Sequence, residues 1–318
     1  MKQAILSIFL IMSSMFSYVK EKEAMEKMRE MNVSYSDNHL IGGFYSTDKN
    51  IDIHFFPCGV NQIFAIGKVD YFASLATHKN NEPIYEFFSG TDWIGPYFVC
   101  QIKNKSKDIP RRFTGGWHGS NGDGTGNPTA CTNKVVITVD GKQINSEVSK
   151  KCESFSIQVV NLIQGYDTTS TKVLLEESVN YQLFPDRTLH IRVDITALDD
   201  VVIHRYYGMQ SQNFSIFNSV SYSTREQIIN SESIEKNSCC VDSRKINIIQ
   251  LNDSIGQYQL KLILDTSKGL GTFKYLADHL PRAFSADYRK SYFNLINGRE
   301  LILKKGASVF WQGTYVFD

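Results

Sequence analysis

From Ile51 to the C-terminus the chain is a succession of short apolar and aromatic runs broken by turn residues. Residues 51–56, 63–72, 84–88 and 97–103 are rich in β-branched and aromatic side chains, the composition that fits a pleated, half-buried surface. Residues 135–139 run into Asp140-Gly141 and then 142–144, and Asp-Gly between apolar runs predicts a hairpin. Strands are expected again over 154–162, 172–184, 188–197, 201–209, 258–264, 288–296, 300–304 and 308–317, with Pro185-Asp186 as a further turn. Helical spacing is confined to a charged, Met-containing stretch over 20–31 and a short piece near 275–279. Many short strands with turns between them predict an all-β fold, a large antiparallel β-sandwich or jelly roll over 51–318. The polar stretch 219–242 could join two halves, but a single large sandwich is the simpler reading.

Strand side chains alternate between faces, and residues 172–210 show what each face carries. Val173, Leu175, Val179, Tyr181 and Leu183 share a side with Glu177, opposite Glu176, Ser178, Asn180 and Gln182. In the next strand Leu189, Ile191, Val193 and Ile195 point one way and His190, Arg192 and Asp194 the other. The strand after it sets Val202, His204, Tyr206 and Gln210 against Arg205, Tyr207 and Met209. If the three are neighbours, their polar sides form one patch of His190, Arg192, Asp194, Asn180, His204 and Tyr206. Such a patch is either an ordinary solvated sheet face or a groove in which a His-x-Tyr pair supplies base and acid to one substrate.

The segment 113–129, FTGGWHGSNGDGTGNPT, departs most from this pattern. Its six glycines permit positive φ and close backbone approach, and they enclose Trp117 and His118, an aromatic plate beside a group that titrates near neutrality. It reads either as a long turn with a packed Trp or as a ligand loop on a rigid scaffold. Asn121, Asp123, Thr125 and Asn127 alternate like the first half of a calcium loop, but no acidic residue closes it. The pattern is neither a P-loop nor a dinucleotide fingerprint, so no nucleotide cofactor is expected.

The N-terminus changes the expected location. Met1 and Lys2 precede an apolar run over 4–16, the layout of a secretory signal and too short for a comfortable membrane span. Residues 1–24 are therefore read as a signal peptide or signal anchor and 25–50 as a leader, in a secreted, periplasmic or cell-surface protein that meets a membrane only through its N-terminal segment. Six cysteines, Cys58, Cys100, Cys131, Cys152, Cys239 and Cys240, permit disulfides in that setting, with Cys131–Cys152 the favoured pair because they flank a hairpin-like segment. None sits in a zinc-type spacing. Asn32, Asn104, Asn213 and Asn252 begin N-x-Ser sequons.

Composition narrows the partners. With 34 Lys+Arg against 33 Asp+Glu in 318 residues, the net charge is +1, which argues against a nucleic-acid binder. Hydrophobic residues at 42% exclude wholesale disorder. There is no G-x-S-x-G elbow and no HExxH helix.

The segments TDWIGPY, FTGGWHGSNGDGTGNPT and HRYYGMQ together resemble a group of secreted and phage-tail-associated β proteins, over roughly residues 91–210. The broader architecture is similar to carbohydrate-active sandwiches, polysaccharide lyases among them. The resemblance implies a Tyr or His base with Arg, Asn or Gln neutralising a uronate carboxylate. By residue type that makes Tyr206, His204, Arg192 and Gln210 candidates, with His118 a second base and Trp117, His190, Asp194 and Asn180 holding substrate. The expected function is a secreted protein that engages a polysaccharide or surface glycan and cleaves an acidic glycan by β-elimination. Two alternatives stand beside it: a non-catalytic binding or tail-type module, and a glycoside hydrolase using Glu176 or Asp194.

Overall fold

The structure, a computed structural model, describes residues 30–46, 50–72, 79–80, 82–88, 92–168, 172–212, 216–234, 238–239, 246–286 and 289–318. The expected signal segment and most of the expected helix over 20–31 lie outside these residues. No helix among the described residues is long and apolar enough to cross a membrane.

Its centre is a ten-stranded antiparallel sheet. In spatial order it runs Ile228–Ser233, Phe217–Ser223, Ile248–Asp253, Gln259–Leu264, Ser308–Phe317, Thr188–Ala197, Val173–Phe184, Phe155–Gln164, Ala130–Val139 and Lys142–Ile144. The Asp140-Gly141 hairpin forms as read, with Val139 opposite Lys142 and both turn residues at positive φ. One face of this sheet carries the apolar half of each alternation: Phe155, Ile157, Val159, Val179, Tyr181, Leu183, Leu189, Ile191, Val193 and Ile195 are all buried.

A six-stranded sheet covers part of that face, in the order Tyr85–Phe88, Ile63–Phe72, Asn50–Cys58, His39–Tyr45, Glu30–Ser36 and Val148–Cys152. The layers meet closely. Phe55 packs edge-on against Tyr181 with ring centroids 5.2 Å apart, and a Cβ on Gly42 would lie 2.3 Å from the Phe155 ring. Two four-stranded sheets cover the remainder. One joins Tyr275–Leu276, Ile296–Leu303, Val201–Tyr206 and Tyr97–Gln101; the other joins Gln210–Gln212, Lys290–Phe293, Ala283–Ala286 and Ser238–Cys239. The buried apolar residues of all four sheets form one cluster, the core of an all-β, almost wholly antiparallel sandwich.

Several expectations are corrected. Strands already stand before Ile51, at Glu30–Ser36 and His39–Tyr45: Met31 and Val33, then Leu40 and Phe44, are buried by alternation around an Asp37-Asn38 turn at positive φ. Glu30 and Met31, placed in a helix by propensity, are strand residues because tertiary burial of Met31 overrides local preference. Residues 275–279 are not helical either; Tyr275–Leu276 pairs in parallel with Ile296–Leu303. Within the polar stretch 219–242, residues 219–223 and 228–233 pair in the last two strands at one end of the large sheet. The Cys131–Cys152 bridge is absent: both are free thiols. They stand in different sheets, Cys131 opposite Leu162 and Cys152 opposite Met31.

Candidate functional site

The polar half of the alternation forms a groove on the open face of the large sheet. Asn180 stands opposite Arg192, Gln182 opposite His190 and Ser178 opposite Asp194, and Arg192 and His190 face Gln312 and Thr314 on the other side. This part of the expected patch assembles. Its cation is already matched, because Arg192 Nε and Nη2 donate to the two carboxylate oxygens of Asp194 at 2.8 and 2.7 Å. The guanidinium also lies over the Phe310 ring, 4.1 Å from its centroid.

His204 and Tyr206 do not join that patch. Strand Val201–Tyr206 is not a neighbour of Thr188–Ala197; the short connection between them changes layers, held by the Leu198 N–H to Leu174 and by the Ile102 N–H to Asp200. A strand enclosed on both faces loses the polar/apolar alternation, and Val201, Val202, Ile203, His204 and Tyr206 are all buried. Tyr206 is a core residue. It stacks on Tyr97 with centroids 4.3 Å apart, and its hydroxyl accepts from Trp311 Nε1 at 2.8 Å. Tyr97 in turn donates to the buried Glu177 at 2.5 Å. A base so enclosed has no path to a glycan.

The glycine-rich loop builds a second site. Asn61 holds its ends together: its amide donates to the Gly116 and His118 carbonyls at 2.8 and 3.0 Å and its oxygen accepts from the Thr129 and Ala130 N–H groups. Gly59, at φ 64°, lies against Trp117 so closely that a Cβ would come within 2.7 Å of it. Gly116, at φ 53°, lets Asp92 approach from the other side; a Cβ there would meet Asp92 Oδ1 at 2.1 Å. Asp92 accepts the Trp117 N–H, and its other oxygen lies 3.2 Å from His118 Nδ1.

Trp117 and His118 thereby line a cavity of about 510 Å³ together with Phe113, Tyr207, Tyr292, Gln210 and Lys290. Phe113, Tyr207 and Tyr292 make a continuous aromatic wall with centroid spacings of 5.9 and 5.2 Å. Gln210 is opposite Tyr292 in the sheet ladder, and alternation brings Lys290 to the same face. Gln210 is fully buried, and among the described residues neither atom of its side-chain amide has a hydrogen-bond partner. A buried amide without partners is costly, so one that lines a cavity points to a ligand.

The electrostatics converge on the same point. Burial alone would raise the Asp92 pKa, but the paired His118, the charge of Lys290 and the Trp117 N–H hold the carboxyl below its usual range. Lys290 is half-buried, and burial lowers its pKa against the attraction of Asp92. Among the described residues no carboxylate lies within ion-pair distance of it. With Nδ1 of His118 turned to Asp92, Nε2 is the ring nitrogen left to exchange a proton, the arrangement that orients a histidine base. The calcium-like part of the loop is internally satisfied. Asp123 accepts from the N–H and hydroxyl of Thr125 at 2.8 and 2.6 Å, and no metal-holding group of acidic, His and Cys side chains occurs among the described residues.

The structure therefore splits the expected residues three ways. Trp117, His118 and Gln210 share the loop pocket; Asn180, His190, Arg192 and Asp194 share the open groove; His204 and Tyr206 are interior. Asp92 and Lys290 complete the pocket and were not among the candidates. Asp92 lies inside the TDWIGPY segment that carries part of the resemblance, whereas nothing in the local pattern of Lys290 distinguishes it from a solvated lysine.

No family profile matches the chain, and no curated protein matches it. Solved structures do. A proposed mutarotase from Salmonella typhimurium aligns over 91% of this chain and 93% of its own, at 6% identity and a TM-score of 0.38. An alpha-galactosidase from Lactobacillus brevis aligns over 90% of this chain and 39% of its own, at 11% identity and 0.40. A galactose 1-epimerase from Lactobacillus acidophilus aligns over 92% and 99%, at 9% identity and 0.34. These structures bear sugar-related descriptions, but at such scores the likeness carries no argument, and the functional reading rests on the pocket.

Proposed function

We propose that this protein binds a carboxylate-bearing sugar of a polysaccharide in the Trp117–His118 pocket and cleaves the glycan by β-elimination. The observation that carries the reading is that a carboxylate-oriented histidine and a half-buried cation share one aromatic-walled cavity. Cavities of this make-up, apolar walls with a few convergent polar groups, suit the faces and hydroxyls of a sugar ring. His118 Nε2 takes the proton from the carbon beside the substrate carboxylate, and the imidazolium is stabilised by Asp92. Lys290 and the Gln210 amide meet the negative charge that develops on the carboxylate oxygens, where fixed donors contribute most. A carbon–carbon double bond forms as the glycosidic oxygen departs with its electron pair. In this reading His118 is the base, a role Tyr206 is too enclosed to fill. Lys290 does what was expected of Arg192, whose charge Asp194 already neutralises. The N-terminal apolar run supports action outside the cytoplasm.

The test is incubation with neutral and uronic-acid polysaccharides and mass measurement of the soluble products. Fragments lighter than hydrolysis products by one water, absent with His118→Ala, are the expected result. Fragments that have gained water would replace elimination by hydrolysis. Binding without fragments, lost in Trp117→Ala but kept in His118→Ala, would leave a non-catalytic binding module.

A further inference from the structure

A second set of reactive side chains lies outside both the pocket and the groove, on three adjacent strands of one four-stranded sheet. Cys100 is on Tyr97–Gln101, His204 on Val201–Tyr206 and Glu300 on Ile296–Leu303. Cys100 Sγ lies 3.6 Å from His204 Nε2, and His204 Nδ1 lies 2.8 Å from Glu300 Oε1. The other Glu300 oxygen is paired with Lys105. The ladder on both sides of His204 shifts register between Ile203 and Arg205. Toward Tyr97–Gln101, where Ile203 faces Val99 and Arg205 faces Phe98, His204 is the extra residue of a bulge, a device that re-aims a side chain; toward Ile296–Leu303 the extra residues are Gly298, Arg299 and Glu300 of the partner strand. Thiol, imidazole and carboxylate in this order are the parts of a base-activated nucleophile.

The other described buried thiols are built differently. Cys58 donates to the carbonyls of Phe56 and Ala65, with burial pushing its pKa up to about 12, and Cys152 has no histidine partner. Burial also raises the Cys100 thiol, with a Tyr166 hydrogen bond the largest opposing influence; Asp167 and Glu300 raise it further and Arg111 lowers it. Burial, Arg111 and Lys105 lower the His204 pKa against the pull of Glu300. Both shifts favour the uncharged resting pair, a thiol 3.6 Å from a neutral imidazole nitrogen, and it is this contact that gives the thiol proton a local acceptor. Cys100 itself is fully buried; the half-buried Tyr166 touches it and lines a groove of about 620 Å³ with Arg112, Gln164 and Pro128, so a small disulfide reaches the thiol when Tyr166 swings aside.

We propose that Cys100, with His204 as its base and Glu300 orienting His204, is a reactive thiol that exchanges with small disulfides entering along the Tyr166 groove. Disulfide exchange fits better than acyl transfer, which needs spare backbone donors for an oxyanion. In this edge strand Tyr97, Val99 and Gln101 present their backbone groups outward to Thr114, Tyr166 and Asp167, so alternation turns the Cys100 N–H into the ladder with Val202. In the reaction the Cys100 proton passes to His204 Nε2 and the thiolate attacks one sulfur of the disulfide. That sulfur–sulfur bond breaks, a mixed disulfide forms on Cys100, and the leaving half departs as a thiolate that accepts the proton. Cys100 is oxidised and the leaving half is reduced.

The full chain is treated with dithiobis(nitrobenzoate), and the labelled cysteines are timed by peptide mapping. Cys100 should react about tenfold faster than Cys58 or more, and His204→Gln should slow Cys100 by about tenfold or more while the exposed Cys131 keeps its rate. Glu300→Gln, at a partly exposed position, gives the same test without disturbing the core and should also slow Cys100. Tyr166→Ala should speed it. Cys100 reacting no faster than Cys58 even in Tyr166→Ala, or unaffected by both the His204 and Glu300 changes, would overturn the proposal. None of these readings depends on glycan cleavage.

Discussion

Asp92 and His118 sit 26 positions apart, and Gly116 lets them meet. At Gly116 both the positive φ and the nearness of Asp92 Oδ1 exclude a side chain. Gly124, in the same loop, has open space around its Cβ position and no positive φ. Gly116→Ala should lower the Tm by several degrees and abolish turnover, whereas Gly124→Ala should leave the Tm nearly unchanged; thermal melts of the two variants make the comparison. His118→Ala should lower elimination by about 10²–10⁴-fold, the usual worth of a positioned base, measured as kcat on the substrate identified by product mass. Asp92 adds a pH signature. Its folded pKa lies below the ordinary carboxylate value, so its contribution is fully present above that ordinary value and is lost as the pH falls through the folded one. Asp92→Asn should therefore be less stable than the parent at neutral pH by about 1–3 kcal/mol. Denaturant titrations should show the gap closing on acidification.

Alternation decides the elements more than any single residue does. The strands 173–184 and 188–197 were legible in full: the polar set Asn180, Gln182, His190 and Arg192 is outward, and Glu177 is buried on the apolar side where its parity places it. Glu177 remains there because Tyr97 and Asn161 donate to its two oxygens, while burial raises its pKa. Glu177→Leu strands both donors and should cost about 1–3 kcal/mol for each, read from urea midpoints. The strand after them is covered on both faces, so the parity of its residues does not sort them between core and solvent. His204 and Tyr206 therefore left the open face, and Arg192 lost the partners that made it a catalytic candidate. Arg192→Ala should leave glycan turnover unchanged; a loss would return the open groove to the mechanism.

For the molecule as a whole the decisive contacts are between layers. Met31, Val33, Leu40 and Phe44 belong to the same buried cluster as Phe155 and Leu183, so residues 30–46 are part of the fold. A protein started at Glu30 should fold and keep a cooperative melt, whereas one started at Ile51 loses two strands of a six-stranded sheet and should be insoluble or molten. Soluble yield and near-UV circular dichroism distinguish them. The sequence by itself determined the class of fold, most strand positions, the Asp140-Gly141 hairpin and the glycine-rich loop around Trp117 and His118. These follow from periodicity, turn chemistry and glycine content, which act over a few neighbouring residues. Only the tertiary structure decided which strands share a sheet, that Asp92 and Lys290 complete the pocket, that Cys131 and Cys152 stay apart, and that Cys100, His204 and Glu300 align. Those outcomes depend on strand order and layer packing between residues tens to hundreds of positions apart, and local alternation does not encode that order.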